Sequence, residues 1–292
     1  MNTPTIIILP LMLLSPTVAM AQKLPAGLTE LLREANPQER DTLKDVAKRL
    51  YPKQRKAIDD VIDRIEDEQE ALVGKASIVE GWTGEGSLGG NISSGNTEEW
   101  NFSAGLKIKR EGPRWEHRVD VSVDFSEVEG SRTDERISAA YRARRDFVGS
   151  PFFAFGNLSY DRDRSQGISH RFTEATGIGY QIIDAANFDW DVYAGPALRQ
   201  SDFSDGTHVT QIGAFIATDL KWEITDTLTL REYAGTVLSD NNKSFKTTTS
   251  LISNIYGKLS VRLEFTVDAE TEPLVGAEGT DIYSRMSLVY DF

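Results

Sequence analysis

Apolar and polar residues alternate along the chain from about residue 78 to its C-terminus. In the segment 259–268, five apolar residues alternate with Ser, Arg, Glu, Thr and Asp. Successive side chains of a β-strand point to opposite faces, so this period of two predicts strands with one apolar and one charged face. About twelve such segments are present, near residues 78–93, 97–110, 114–127, 132–147, 151–163, 171–183, 188–200, 208–224, 227–239, 245–256, 259–269 and 281–292.

The predicted strands are mostly ten to sixteen residues long. That length suits a tilted crossing of a bilayer, whereas strands of globular sheets usually have about five or six residues. The apolar face continues along nearly every strand with no predicted helix to cover it, which favours lipid over a dry core as its neighbour. We therefore predict an all-β transmembrane barrel of about twelve antiparallel strands over residues 78–292. A soluble β-sandwich is the alternative.

The last predicted strand, Asp281–Phe292, ends on an aromatic residue, and Tyr290 stands two positions before Phe292. This ending looks like the closing strand of a bacterial outer-membrane barrel. We expect Tyr290 and Phe292 to act as a signal to the barrel-assembly machinery. We also expect the barrel to contact outer-membrane lipid and lipopolysaccharide.

The first residues have the pattern of a secretory signal peptide. An apolar run from Ile6 to Leu14 precedes the small-residue site Ala19-Met20-Ala21, which predicts cleavage after Ala21. The run is too short to span a bilayer as a helix, and an uncleaved anchor is the alternative. We expect residues 1–21 to be removed and the protein to reach the outer membrane, with residues 22–77 in the periplasm.

Residues 22–77 have helical spacing. Leu28–Glu34 predicts a short amphipathic helix, and Asn36-Pro37 and Pro52 mark the starts of two longer ones. The predicted apolar faces of these two contain Leu43, Val46, Ala47 and Leu50, and Ile58, Val61, Ile62, Ile65 and Leu72. The stripes are narrow, so we predict a small helical hairpin, with a solvated coiled-coil-like interaction arm as the alternative.

The composition is compatible with a barrel and excludes several functions. The mean hydropathy is −0.36, as expected where lipid-facing and interior residues alternate. The chain has no cysteine, which excludes disulfides and thiolate sites. Its net charge of −13 argues against nucleic acid as a partner, because binding phosphates requires a concentrated cationic surface.

The connections between the strands predict the orientation of the barrel. Tight turns are expected at 111–113, 148–151, 184–187, 225–226 and 256–258, and they alternate with mostly longer polar segments such as 161–167, 201–207, 239–243 and 270–279. Outer-membrane barrels have short periplasmic turns and longer outer loops. Aromatic residues cluster at both strand ends and predict two interfacial girdles. They are Trp115, Phe147, Phe152, Phe188, Trp190, Trp222, Tyr290 and Phe292 beside the tight turns, and Trp100, Phe125, Tyr160 and Phe172 toward the loops.

The predicted inward faces carry charges of both signs. The candidate interior residues are Glu116, Arg118, Asp120, Asp124, Arg136, Arg142, Arg144, Asp219, Lys221, Arg262 and Glu264. If the third and fourth strands pair around Glu129-Gly130, Glu116 lies opposite Arg144, Arg118 near Arg142, and Asp124 opposite Arg136. An interior held by ion pairs and a narrow polar channel both agree with this pattern, because about twelve strands fall between filled and open barrels.

Catalytic and metal-binding motifs are weak. A serine nucleophile on a strand needs a nearby histidine on the same face, yet none of His117, His170 and His208 is followed by Ser two positions on, and Thr210 is the hydroxyl beside His208. The acidic clusters Asp161/Asp163, Asp202/Asp205 and Glu270/Glu272/Glu278 match no calcium loop, so we interpret them as solvated charge rather than a Ca²⁺ site. We expect no enzymatic activity, cofactor or metal, and a lipid-modifying barrel hydrolase is the alternative.

The stretch Gly81–Thr97 resembles the opening of a known family. The turn Ser94-Gly95-Asn96-Thr97 is the most specific part, and Gly177–Gln181, Gly195-Pro196 and Tyr290–Phe292 also look like that family. It is the family of salt-induced outer-membrane proteins, a domain of unknown function. The resemblance covers roughly residues 80–292 and implies an outer-membrane barrel linked to envelope or osmotic stress. We expect a structural or small-solute passage role.

Overall fold

A computed structural model describes residues 24–25, 27–35, 37–75, 81–93, 99–128, 131–164, 166–240, 242–273 and 279–292. The predicted signal peptide lies outside these residues. The chain divides into two units, Met1–Asp67 and Glu68–Phe292.

The N-terminal part is helical. Helices α1 (Leu28–Glu34), α2 (Pro37–Leu50) and α3 (Arg55–Lys75) form where the sequence predicts them, and a 3₁₀ turn precedes α3. Their core consists of Leu32, Ala47, Ile58, Ile62 and Ile65. The predicted apolar face of α2 is wrong at Val46 and Leu50, which are 40% and 68% exposed, because α2 packs through the side that carries Ala47.

Buried Arg40 joins α2 to the end of α1. Its Nε donates to the carbonyl oxygen of Leu32 at 2.9 Å, and its Nη2 donates to that of Ala35 at 3.0 Å. These bonds satisfy carbonyl groups that have no partner within the helix. None of the helices in the described part of the chain combines the length and apolar character that a bilayer crossing requires.

The remaining described residues form a closed barrel of twelve antiparallel strands, in which each strand pairs with its sequence neighbours and β12 pairs with β1. The strands are β1 (Trp82–Ser93), β2 (Glu99–Glu111), β3 (Trp115–Val128), β4 (Ser131–Asp146), β5 (Phe152–Asp163), β6 (Ile168–Ala185), β7 (Phe188–Phe203), β8 (His208–Thr225), β9 (Leu228–Ser239), β10 (Lys243–Tyr256), β11 (Leu259–Glu270) and β12 (Thr280–Asp291). The predicted fold class, a β-barrel with a short helical segment, is confirmed.

The two faces of the barrel wall follow the predicted alternation. Outward residues such as Ile212 and Leu263 are 77% and 50% exposed, whereas the inward residues Ala217 and Arg262 are each 4% exposed. Because the side-chain period is two, the ladder register fixes which set faces the interior.

Several predicted loop residues belong to strands. Asp161–Asp163, which were predicted both as the end of a strand and as the start of a connection, belong to β5. Ser201–Phe203, which were predicted as a connection, continue β7, because residues of the neighbouring strands offer ladder partners to polar positions as well. The predicted difference in loop length is therefore small, except for the connection 271–279. Among the predicted girdle residues, Phe152 is 47% and Phe172 is 45% exposed. The side chain of Trp100 lies outside the described residues.

Candidate functional site in the barrel interior

The inward positions of β3 and β4 meet in the predicted register. Glu116 lies opposite Arg144, Arg118 opposite Arg142, and Asp124 opposite Arg136. This pairing is confirmed, although the turn residues Glu129 and Gly130 lie outside the described part of the chain.

The ion pairs of these side chains do not follow the register, because Glu116 and Arg144 pair with residues other than each other. Glu116 accepts a hydrogen bond from Nη2 of Arg118, two positions along its own strand, at 2.9 Å. Arg144 donates to Asp146 at 2.6 Å and, through Nη1, to Oδ2 of Asp191 on β7 at 2.5 Å. Strands β5 and β6 separate β4 from β7, so the Arg144–Asp191 pair reaches across the interior.

A second cross-barrel contact joins Arg142 on β4 to Asp219 on β8. Nη1 of Arg142 donates to Oδ2 of Asp219 at 2.5 Å, and the hydroxyl of Tyr193 donates to the same oxygen at 2.7 Å. The Arg142 guanidinium also lies 4.9 Å from the ring centre of Tyr193 and 5.8 Å from that of Tyr233. A cation over an aromatic face is attracted by the ring quadrupole. Charged and aromatic groups from strands that are not neighbours of β4 therefore meet at Arg142.

The aromatic side of this contact is an apolar cluster on the inner face of β5–β9. It consists of Phe153, Phe155, Ala175, Tyr193, Ala197, Phe215, Ala217 and Val237, with Tyr233 packed against it. The ring centre of Tyr193 lies 5.0 Å from that of Phe155 and 5.9 Å from that of Phe215. The sequence analysis did not predict this cluster. The inward parity of Tyr193 and Phe215 in their strands is the signal that marks it.

Further bridges lie toward the end of the barrel that carries the connection 271–279. Arg136 on β4 pairs with Asp163 on β5, and its guanidinium lies 3.6 Å from the ring centre of Tyr283 on β12. Arg171 on β6 pairs with Glu270 on β11. Strands β4 and β12, like β6 and β11, are not neighbours, so both contacts span part of the interior.

The wall around β1 and β12 has its own charge network. Arg262 on β11 pairs with Glu85 on β1. Arg285 on β12 pairs with Asp124 on β3 at 2.6 Å and with Glu264 on β11 at 3.1 Å. Glu85 and Arg285 were not predicted as interior residues, although both stand at inward positions of alternating strands.

The remaining candidates take simpler positions. Asp120 lies opposite Lys107 of β2. Lys221 pairs with Glu223 on its own strand at 2.6 Å, and the two side chains are 42% and 44% exposed. Tyr290 and Phe292 are each 54% exposed, and their role as an assembly signal stays a prediction.

The three histidines have separate partners. His117 contacts the Tyr141 hydroxyl at 2.8 Å, His170 the Tyr160 hydroxyl at 3.0 Å, and His208 the Asp202 carboxylate at 2.5 Å. The Asp202–His208 pair would orient an imidazole, but nucleophilic catalysis also needs a hydroxyl or thiol within reach of the base. Over the ranges that the structure describes, no Ser or Thr hydroxyl is hydrogen-bonded to a histidine.

The predicted acidic clusters have protein partners. Asp163 pairs with Arg136 and Glu270 with Arg171. Asp205 accepts a hydrogen bond from the backbone N–H of Thr207 at 2.8 Å, and this bond lowers the pKa of the Asp205 carboxyl. Among the described residues, no three or more His, Cys, Asp or Glu side chains are grouped as metal ligands would be.

Comparison with known proteins identifies the family of the barrel. A family model described as "Protein of unknown function, DUF481" matches residues 86–292. The chain belongs to the DUF481 family. The match covers β2–β12 and most of β1. The predicted membership of a domain family of unknown function is therefore confirmed. The family description does not mention induction by salt, so that part of the resemblance stays a prediction. No curated protein matches the chain.

Solved structures of several other proteins are similar to this DUF481 protein. The translocator domain of the autotransporter NalP from Neisseria meningitidis is 13% identical with a TM-score of 0.39, covering 80% of this chain and 95% of that one. The NanC porin is 8% identical with a TM-score of 0.42, covering 71% and 97%. An outer membrane channel from Pseudomonas putida F1 is 10% identical with a TM-score of 0.42, covering 74% and 97%. No residue role carries over at these similarities.

Proposed function

We propose that this DUF481 protein is a non-enzymatic outer-membrane barrel with a narrow small-solute passage that side chains close at rest. The outward wall supports a membrane location, because apolar residues such as Ile212 and Met286 are 77% and 62% exposed. Such a surface is costly in water and favourable in hydrocarbon. In this proposal a signal peptide ending at Ala21 is removed, and the helices and tight turns lie in the periplasm.

The Arg142–Asp219 contact carries the proposal of a closed passage. Eight-stranded barrels are filled by side chains and sixteen-stranded barrels leave an aqueous channel. In a barrel of about twelve strands, the interior side chains therefore decide whether a channel is open. Here Arg142 reaches from β4 to Asp219 on β8 and lies against Tyr193. We infer that water and small ions pass slowly until this bridge opens.

We also propose that ionic strength adjusts the passage, which would be compatible with the link to envelope or osmotic stress that the resemblance to salt-induced outer-membrane proteins implies. Salt screens charge pairs that are partly exposed to water. The side chains of Arg142 and Asp219 are 20% and 28% exposed, so their pairing should weaken as salt rises. The conductance of the barrel is then expected to rise more steeply than the conductivity of the solution.

Planar-bilayer recording tests the proposal. The wild-type protein is expected to give small, discrete currents, and Arg142→Ala is expected to increase them several-fold because it removes the bridge. Lys221→Ala is the comparison variant, since it also removes an inward charge but breaks a pair confined to one strand, Lys221–Glu223, and it should change the conductance far less than Arg142→Ala does. A large wild-type conductance that Arg142→Ala does not alter would refute the closed passage.

A further inference from the structure

The joint between β1 and β12 is paired over a shorter length than the neighbouring joints. Its ladder contains five residue pairs, whereas β1 pairs with β2 over twelve and β11 with β12 over eleven. Toward the loops the ladder stops at Gly89 and Ser287. Strand β1 continues to Ser93 and β12 starts at Thr280, but the described residues of these two stretches do not pair with each other.

The unpaired half of this joint, or seam, lies between two different environments, the outer wall and the interior. Backbone N–H and C=O groups without partners are costly in hydrocarbon. The unpaired strand edges are therefore more stable when a polar group, such as a lipid head group, lies between them. Behind these edges, on the inner wall, Arg285 stands on the unpaired stretch of β12 and pairs with Asp124 and Glu264. One guanidinium and two carboxylates are therefore placed beside the unpaired stretch.

An apolar groove lies on the outer wall at the same joint. It has a volume of about 460 Å³, and its lining includes Gly86, Ala104, Leu106 and Tyr290. The small residues Gly86 and Ala104 form the floor of the groove. A Cβ added to Gly86 would meet no atom within 4 Å, whereas one added to Gly89 would lie 2.5 Å from a backbone oxygen. Gly86 therefore leaves open space, while Gly89 permits close packing.

We propose that this groove binds one acyl chain of a zwitterionic phospholipid, and that the lipid head group reaches the interior through the unpaired half of the seam. The groove also touches Leu88 and Leu288, which adjoin the end of the ladder, so chain and head group would follow one continuous path. The phosphate would pair with Arg285, and the ammonium with Asp124 or Glu264. This site requires the membrane location proposed above but not a conducting interior.

Photolabelling in proteoliposomes tests the acyl-chain site. Phosphatidylethanolamine with a diazirine in one acyl chain is expected to label the segments around Gly86 and Leu106 more than other outward positions. Gly86→Leu fills the groove and should reduce this labelling several-fold. Gly156→Leu is the matched control, because Gly156 is an outward residue of β5 whose added Cβ also meets no atom within 4 Å. Equal labelling at the groove in both variants would overturn the proposal.

A cysteine pair tests the path of the head group. The natural chain has no cysteine, so Ile92→Cys with Ser284→Cys places one thiol on each strand of the unpaired half of the seam, and mass spectrometry under oxidising conditions verifies that the two are joined as a disulfide before labelling. Phosphatidylethanolamine with a photoreactive head group should label the segment around Arg285 in the reduced form and not in the oxidised form. Oxidation of Val267→Cys with Ile282→Cys, a directly paired position of β11 and β12, should leave that labelling unchanged.

Three results would overturn the head-group path: no label near Arg285 in the reduced form, persistence of that label after oxidation, or its equal loss in the control pair. Comparing oxidised and reduced forms of one variant removes folding differences between variants. Absence of acyl-chain labelling at every outward position would refute the membrane location itself, together with this inference.

Discussion

Replacement of Arg142 by alanine should destabilise the barrel measurably. Arg142 and the Tyr193 hydroxyl both donate to the carboxylate of Asp219, and the substitution leaves only the second of these two donors. Exposed ion pairs contribute about 0–1 kcal/mol, and breaking a buried pair costs about 3–5 kcal/mol. The two side chains are 20% and 28% exposed, so the bridge lies between these limits. We expect a loss of about 2 kcal/mol of unfolding free energy.

A double-mutant cycle separates the bridge from the loss of packing. Arg142→Ala, Asp219→Ala and the double variant are unfolded with urea in lipid vesicles, and tryptophan fluorescence reports the midpoint. We expect a coupling energy of about 1–1.5 kcal/mol, because the second substitution removes the carboxylate whose guanidinium partner the first took away. The same cycle at Lys221 and Glu223, which are 42% and 44% exposed, should give about 0–0.5 kcal/mol. A coupling below about 0.3 kcal/mol between Arg142 and Asp219 would show that the bridge does not form.

Three further predictions concern the barrel wall, its ends and its assembly. Leu263→Arg should lower the stability of the refolded barrel by roughly 2–4 kcal/mol relative to Leu263→Ala in urea titrations, because Leu263 faces outward; equal stability would contradict a lipid-facing position. Phe292→Ala should reduce the heat-modifiable folded form in membranes more than a loop substitution does, and unchanged mobility on gels would argue against the assembly signal. A cysteine at Gly149 or Asp226 should resist an impermeant thiol reagent on intact cells, while one at Gly167 should react; labelling of the first two would invert the orientation.

The sequence predicts the wall of this barrel well because the wall depends on local pattern. Period-two alternation locates all of the strands, and a directly opposed register follows when two strands share a tight turn, as for Glu116 and Arg144. The strand ends are less predictable. Ser201–Phe203 are predicted as part of a polar loop, yet the neighbouring strands extend far enough to supply ladder partners to β7. Whether a polar residue belongs to a strand or to a loop depends on how far the neighbouring strands extend, and the local sequence does not specify that length.

The interior contacts depend on information of another kind. Alternation shows that Arg142 and Asp219 both point inward, but their contact also depends on barrel closure and on the reach of each side chain across the lumen. The residues predicted to lie opposite each other on neighbouring strands are therefore in the predicted register, but most of them form ion pairs with other residues. Arg144, for example, lies opposite Glu116 but donates to Asp191 on a strand that is not its neighbour.

In the closed passage that we propose, the aromatic cluster shortens the distance that an arginine has to bridge. The cluster occupies the inner face of β5–β9, so a side chain from β4 need only reach its edge rather than the far wall. Arg142 does so, and the face of Tyr193 and the carboxylate of Asp219 together provide a cation–π contact and a charge-assisted hydrogen bond. Neither group would suffice alone, because a charge held only against apolar rings lacks a counter-ion and a lone carboxylate among them is costly to desolvate. The proposed closure would thus arise from the unequal composition of the inner wall, and a barrel with the same number of strands but charged residues all round would be expected to hold more water at this level.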